Sequence, residues 1–239
     1  MTQRWVREAT AALDSNLAAG RGVWEEAGRV GPDNGSARLG GRRGRLGLMD
    51  LMELPGAEPF HQMLAHPAVA GRLASMLGAD FRFSGGQAIC SPREDEDGQA
   101  TSGELLHGGA LGSNPFEHPA AAQNMRHYVA VGAAGSAPQT FTPKVNVAWS
   151  LCDTAGPEDG GFVVLAGSTK ANCPLPSDTL DDATIHEHAQ HVALGRGDVL
   201  FFAGGAVCHG ALPWRAVEAR RTVIMQYTAA PVPRRSPRM

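Results

Sequence analysis

Six short runs of β-branched and aromatic residues constrain the fold of this chain most strongly. They are FRFSGGQAI (81–89), KVNVAWSLC (144–152), GFVVLAG (161–167), QHVALG (190–195), DVLFFAG (198–204) and RRTVIMQYTA (220–229). Gly, Pro, Asn or Asp bounds most of these runs, which predicts short strands rather than helices. No helical pattern of about 10–15 residues separates the later runs, which argues against a parallel α/β sheet. The pattern therefore predicts a β-sandwich or barrel.

Two amphipathic segments precede the strands and predict helices. The apolar residues of the first recur near a period of 3.6, and Gly20 is its expected end: Trp5, Ala9, Ala12 and Leu13. Those of the second lie on one predicted face: Val69, Leu73, Met76 and Leu77. Pro67 suits the first turn of this second helix, and Gly78 suits its C-terminal cap. We expect a single domain over residues 1–229, with a helical flank at 1–78, a β core at 79–229 and a disordered tail at 230–239.

Composition and charge exclude several classes of protein. The formal net charge is −3, so there is no general attraction to nucleic acid or to an anionic membrane. No apolar run is long enough to span a bilayer, and the first twenty residues have no secretory h-region. The four scattered cysteines have the spacing of free thiols in a reducing compartment. We expect a soluble, intracellular, cytoplasmic protein. The arginine- and glycine-rich stretch 28–47 is expected to be a surface loop, and RNA contact there is a weak alternative because no aromatic residues interleave.

A histidine and an arginine pair near the C-terminus suggest chemistry. His209 follows an apolar strand, and Arg220 and Arg221 open the next strand eleven and twelve residues later. An imidazole at one strand end can bind a metal, while a guanidinium on the neighbouring strand grips the far carboxylate of a co-substrate that chelates this metal. Alternation along the strand would place Arg220 and Thr222 on one face and Arg221 on the other.

Three motifs in order resemble the phytanoyl-CoA dioxygenase family. They are the acidic turn and glycine-rich strand within VAWSLCDTAGPEDGGFVVLAG, then Gly167-Ser168-Thr169-Lys170, then GD, an apolar strand, His209-Gly210 and the arginine pair. The resemblance covers residues 60–229 and implies a double-stranded β-helix (jelly-roll, cupin-like) fold and an Fe(II)/2-oxoglutarate-dependent oxygenase that oxidises a small organic substrate with O₂. It implies that His107 and His209 bind iron and that Arg220 binds 2-oxoglutarate. Thr222 is expected to add a hydroxyl contact, and Trp149 to wall the co-substrate pocket, with a core position as the alternative.

The sequence departs from this family at the proximal half of the site. The family has His-x-Asp, whereas this chain has His107-Gly108-Gly109, so the carboxylate ligand is missing. Water or chloride could fill the vacated position, and a similar arrangement occurs in the iron/2-oxoglutarate halogenases. Three alternatives stay open: a hydroxylase, a halogenase, and a non-catalytic jelly-roll that binds a metabolite or partner. Gly109 in place of the family's aspartate and Thr169 in place of its usual histidine favour the last of these. The absence of the family's opening strand suggests a truncated chain.

Other candidate ligands have simpler interpretations. Asp153 and Asp159 lie in the acidic turn, which we interpret as a structural hairpin. The histidines of HEHAQH (186–191) are interpreted as a solvated loop.

Overall fold

The computed structural model describes residues 3–26, 43–94, 104–107, 144–170, 187–204 and 207–229. Its helices are α1 (Gln3–Ala18), α2 (Glu58–Leu64) and α3 (Pro67–Leu77). Its strands are β1 (Val23–Glu26), β2 (Arg43–Leu48), β3 (Arg82–Ser91), β4 (Glu104–His107), β5 (Lys144–Ser150), β6 (Gly161–Leu165), β7 (Ala189–His191), β8 (Val199–Phe202), β9 (His209–Leu212) and β10 (Arg220–Thr228). The predictions for Gly109, for the loop at 28–42, for Cys173 and for the tail at 230–239 lie outside these described residues.

The strands form two sheets in which every pair is antiparallel. The larger has the order β1-β2-β3-β10-β5-β8 and the smaller has the order β4-β9-β6-β7. Strands that follow one another in the chain, such as β8, β9 and β10, alternate between the two sheets. This alternation places β9 and β10 in different sheets, on opposite sides of the space between them. Each of the six runs expected to be strands contains one, although β7 includes only the first two residues of the run 190–195.

The helices cover one face of the larger sheet. Alternate residues of β5 and β10 face them in a continuous apolar core: Val145, Val147, Trp149, Val223, Met225 and Tyr227. The helices contribute Val6, Leu13, Phe60, Val69 and Leu73 to the same core. Burying each large apolar side chain stabilises the fold by about 1.5–3 kcal/mol. Because side chains alternate along a strand, the residues between these apolar ones face the other sheet.

The two predicted helices form where the periodicity places them. Helix α3 begins at Pro67 and ends before Gly78, whose φ of 91° lies in the left-handed region that favours glycine. Met76 is the exception within α3, because it is 44% exposed and does not join the core. None of the helices that the structure describes is long and apolar enough to cross a membrane.

The structure corrects the predicted boundary between flank and core. Residues 43–47 belong to β2 rather than to a loop, and β2 pairs with both β1 and β3. The flank at 1–78 therefore supplies two strands of the larger sheet, as well as the unpredicted helix α2. Strand β2 reads RGRLGL and lacks β-branched and aromatic residues, so local propensity gave no sign of it. Pairing with β3 stabilises it instead, with Leu48 fully buried.

Candidate active site

A cavity of about 70 Å³ lies between the two sheets, on the face of the larger sheet opposite the helices. The larger sheet contributes alternate residues of two neighbouring strands: Asn146, Ala148 and Ser150 of β5, and Arg220, Thr222, Ile224 and Gln226 of β10. The smaller sheet contributes Phe162 and His209. The period of two along each strand thus gathers polar side chains around one space.

His209 is the first residue of β9 and is 4% exposed. Its Nδ1 lies 2.8 Å from the carbonyl oxygen of Val207, so Nδ1 carries the proton and donates it. The lone pair of this tautomer is then on Nε2. The ring stacks on Phe162 at 5.7 Å and meets the edge of Phe202 at 4.7 Å between centroids. A backbone hydrogen bond and two aromatic rings therefore fix its tautomer and orientation.

His107 ends β4, the strand next to β9. The register pairs His107 with His209, and the ladder has an irregularity between Glu104 and His107. Directly opposite positions of an antiparallel pair share one face of a sheet. The fold thus brings two positions 102 residues apart in sequence into adjacent places on the smaller sheet.

The two arginines at the start of β10 lie on opposite faces of the larger sheet. Arg220 is 7% exposed, lines the cavity, and donates from Nε to Thr222 Oγ1 at 3.3 Å. Arg221 turns away and binds Asp14 of α1 with two hydrogen bonds, from Nε to Oδ1 at 2.7 Å and from Nη2 to Oδ2 at 3.1 Å. Adjacent arginines thus have separate environments: one faces the cavity, and the other fastens a helix to the sheet.

The prediction that Trp149 walls the pocket is wrong. Trp149 is 1% exposed and lies on the helix-covered face, where its ring contacts Trp5 at 5.5 Å and His66 at 5.6 Å. Its neighbours Ala148 and Ser150 face the cavity instead. Alternation along β5 predicts that Trp149 lies on the opposite face from Ala148 and Ser150. It does not predict which of the two faces lines the cavity.

The acidic turn between β5 and β6 has the structural role expected of it. Asp153 Oδ1 accepts a hydrogen bond from the backbone N–H of Arg196 at 2.6 Å, and Asp159 Oδ2 accepts one from Ala155 at 2.9 Å. Among the described residues that line the cavity there is no Asp or Glu. Nor, within the described ranges, is any group of three or more His, Cys, Asp or Glu residues placed to hold a metal ion.

The histidine cluster at 186–191 only partly matches its interpretation as a solvated loop. His188 is exposed, as expected, and His186 lies outside the described residues. His191 is the correction: it is a half-buried residue of β7, and its Nε2 lies 2.8 Å from the carbonyl oxygen of Gly160. This contact ties β7 to the turn before β6, so His191 has a structural position.

Several cavity residues were not recognised from the sequence. Gln87, Asn146 and Gln226 place three amides along the cavity. Gln226 was findable, because it is six residues beyond Arg220 and thus on the same face of β10. Cys152 also lines the cavity, and burial raises the pKa of its thiol. The free cysteines among the described residues, Cys90, Cys152 and Cys208, are all buried.

Comparisons with known proteins support the fold. No family model matches the sequence, and a search of curated proteins gives no match. Solved structures do match. HygX from Streptomyces hygroscopicus, with nickel, 2-oxoglutarate and hygromycin B bound, is similar at 17% identity and a TM-score of 0.62, covering 96% of this chain and 80% of its own.

Two enzymes of nogalamycin biosynthesis are similar as well. The non-heme α-ketoglutarate-dependent epimerase SnoN shares 18% identity at a TM-score of 0.62, over 96% of this chain and 76% of its own. The carbocyclase SnoK shares 16% identity at a TM-score of 0.60, over 96% and 77%. At such identities the likeness concerns the fold. It confirms the predicted jelly-roll class with N-terminal helices.

Proposed function

We propose that this protein is an Fe(II)/2-oxoglutarate-dependent oxygenase that acts on a small organic substrate, in the manner of the phytanoyl-CoA dioxygenase family. One observation carries the proposal: His209 and Arg220, both buried, line the same cavity from opposite sheets. A buried guanidinium suits a carboxylate, and an oriented imidazole suits a metal.

The donor set fits an iron ion at His209. A histidine that binds a metal usually donates its other ring N–H to a carbonyl or carboxylate, which fixes the tautomer. The bond from Nδ1 to Val207 is of this kind and presents Nε2 as the ligating atom. The rings of Phe162 and Phe202 exclude water from the imidazole and hold its plane. We assign His107 as the second ligand because it is the strand partner of His209.

Arg220 fits the distal carboxylate of 2-oxoglutarate. Its planar fork can donate two parallel hydrogen bonds to a carboxylate, and its burial strengthens them. Thr222 accepts from Nε and so aligns the guanidinium, and the Thr222 hydroxyl proton can be donated to the same carboxylate.

Bound iron with 2-oxoglutarate supplies the oxidising chemistry with O₂, and the protein supplies geometry and a dry cavity. The similar structures add support: HygX binds nickel and 2-oxoglutarate, and SnoN and SnoK depend on α-ketoglutarate.

Anaerobic titration tests the proposal without knowledge of the substrate. Addition of Fe(II) and then 2-oxoglutarate should give a visible metal-to-ligand charge-transfer band that neither gives alone. His209→Ala should abolish the band, whereas His188→Ala, which alters an exposed histidine, should leave it intact. The absence of a band from the wild-type protein would refute the assignment.

A further inference from the structure

The cavity contains an amide pair that the co-substrate does not account for. Asn146 of β5 and Gln226 of β10 are strand partners, and both line the cavity. Asn146 is 7% exposed, and its Oδ1 has no hydrogen-bond partner among the described residues. A buried acceptor without a hydrogen bond destabilises the fold, so such a group is expected to meet a donor from a ligand or from water.

Gly204 makes room for this amide. A Cβ at position 204 would lie 2.3 Å from Asn146 Nδ2 and 2.8 Å from its Oδ1, closer than real Cβ atoms come. The φ angle of Gly204 lies outside the left-handed region, so its backbone does not itself require glycine. The lack of a side chain at position 204 therefore leaves the space that the Asn146 amide occupies.

The amide pair lies too far along the strands to contact the co-substrate that Arg220 is proposed to bind. The Arg220 guanidinium bonds to Thr222, which places it near that level of β10. Gln226 is four residues further, or about 13 Å at about 3.3 Å per residue. A five-carbon dicarboxylate is only about 6 Å long, given C–C bonds of about 1.5 Å. The pair lies instead beside Phe202, the strand partner of Asn146, whose ring contacts His209.

We propose that Asn146 and Gln226 form a subsite for the organic substrate, which presents a neutral N–H or O–H donor to Asn146 Oδ1. This rests on the proposed function, which assigns the Arg220 end to 2-oxoglutarate. The substrate class is thus an amide or alcohol rather than a hydrocarbon or a carboxylate. Neither side chain carries a charge, so the subsite selects by hydrogen bonding alone.

Acetamide and acetone are matched probes for this subsite. They have nearly the same shape, and only acetamide can donate a hydrogen bond. Saturation-transfer NMR measures the binding of each to the metal-free protein, and then to the protein loaded with Zn(II) and 2-oxoglutarate. Acetamide should bind on the order of tenfold more tightly than acetone, the value of one hydrogen bond to a buried acceptor. Loading with 2-oxoglutarate should leave acetamide bound.

Two variants report on the subsite, and a third is the control. Asn146→Leu removes the acceptor, and Gly204→Ala displaces it while leaving the amide chemistry in place. Each should reduce acetamide binding to the level of acetone, on the order of tenfold. Gln190→Leu alters an exposed amide of β7 and should change nothing. If Asn146→Leu does not fold, as judged by circular dichroism, Gly204→Ala decides the question.

Three results would overturn the proposal: equal binding of acetamide and acetone, acetamide binding unchanged in Gly204→Ala, or displacement of acetamide by 2-oxoglutarate. The last would assign the pair to the co-substrate. Failure of the proposed function has a different signature, because the metal-free NMR measurement does not require iron. The wild-type protein would then bind acetamide in an Asn146-dependent way while giving no charge-transfer band.

Discussion

Replacement of Arg220 by alanine should abolish 2-oxoglutarate binding and leave the fold and iron binding largely intact. Arg220 is the one residue in the described cavity lining with a permanent positive charge. Its side chain is buried, and Thr222 holds its Nε from one side. Removing it takes away the proposed partner of the distal carboxylate without disturbing the apolar core, which lies on the other face of the sheet.

The expected loss follows from the geometry. A bidentate arginine–carboxylate pair contains two charge-assisted hydrogen bonds, each worth about 1.5–3 kcal/mol. Because each 1.4 kcal/mol is about tenfold in Kd, losing both should weaken binding at least about a hundredfold. Arg220→Lys keeps the charge but not the planar fork, so it should recover only part of this loss.

Arg221→Ala is the matched control, one residue away on the opposite face. It breaks the pair with Asp14, whose side chain is 46% exposed, while that of Arg221 is 18% exposed. Solvent screening at this site limits the cost to about 1 kcal/mol. The melting temperature should therefore fall by about 2–4 °C for a chain of this size, with the Kd for 2-oxoglutarate unchanged.

Isothermal titration calorimetry under anaerobic conditions measures the Kd for 2-oxoglutarate in the Arg220→Ala and Arg221→Ala variants. Circular dichroism verifies that each variant is folded. If Arg221→Ala lost binding and Arg220→Ala kept it, the face assignment of β10 would be inverted for the bound state. If neither variant affected binding, the clamp and the oxygenase assignment would both be refuted.

Three further predictions concern the metal and the thiols. His107→Ala and His209→Ala should each remove iron as measured by metal analysis, while His188→Ala should not; equal iron content in the His107 variant would exclude that residue as a ligand. Gly109→Asp should restore a carboxylate two residues from His107. In a halogenase, chloride would shift the charge-transfer band of the wild-type protein but not that of the variant, whereas in a hydroxylase chloride would shift neither band. A non-catalytic protein would instead bind iron more tightly in the variant than in the wild type. Burial raises the pKa of the Cys90 thiol to about 12 from 9.0, so at pH 9.0 the native protein should resist iodoacetamide at this site and the unfolded protein should react. Peptide mapping by mass spectrometry would contradict this if Cys90 were alkylated as fast in the native protein as in the unfolded protein. The sign for stability follows from the raised pKa: the unfolded thiol ionises first, so stability should fall as the pH rises from about 9 towards about 12.

Local patterns in the sequence determined most of the elements. A period of two marks β5 and β10, a period near 3.6 marks α1 and α3, and glycines mark helix ends. These signals depend on residues close together along the chain, so they can be recognised without knowledge of the fold. The same alternation correctly separated Arg220 from Arg221.

Tertiary structure decided which face of the larger sheet became the cavity and which became the core. Trp149 and Asn146 both lie on β5, and only the packing of α1 and α3 on one side shows that the tryptophan is core and the asparagine is site. Strand β2 likewise exists because β3 offers it hydrogen bonds, since its own residues have little strand propensity. Alternation tells which side chains share a face, but contacts between residues distant in sequence determine what covers that face.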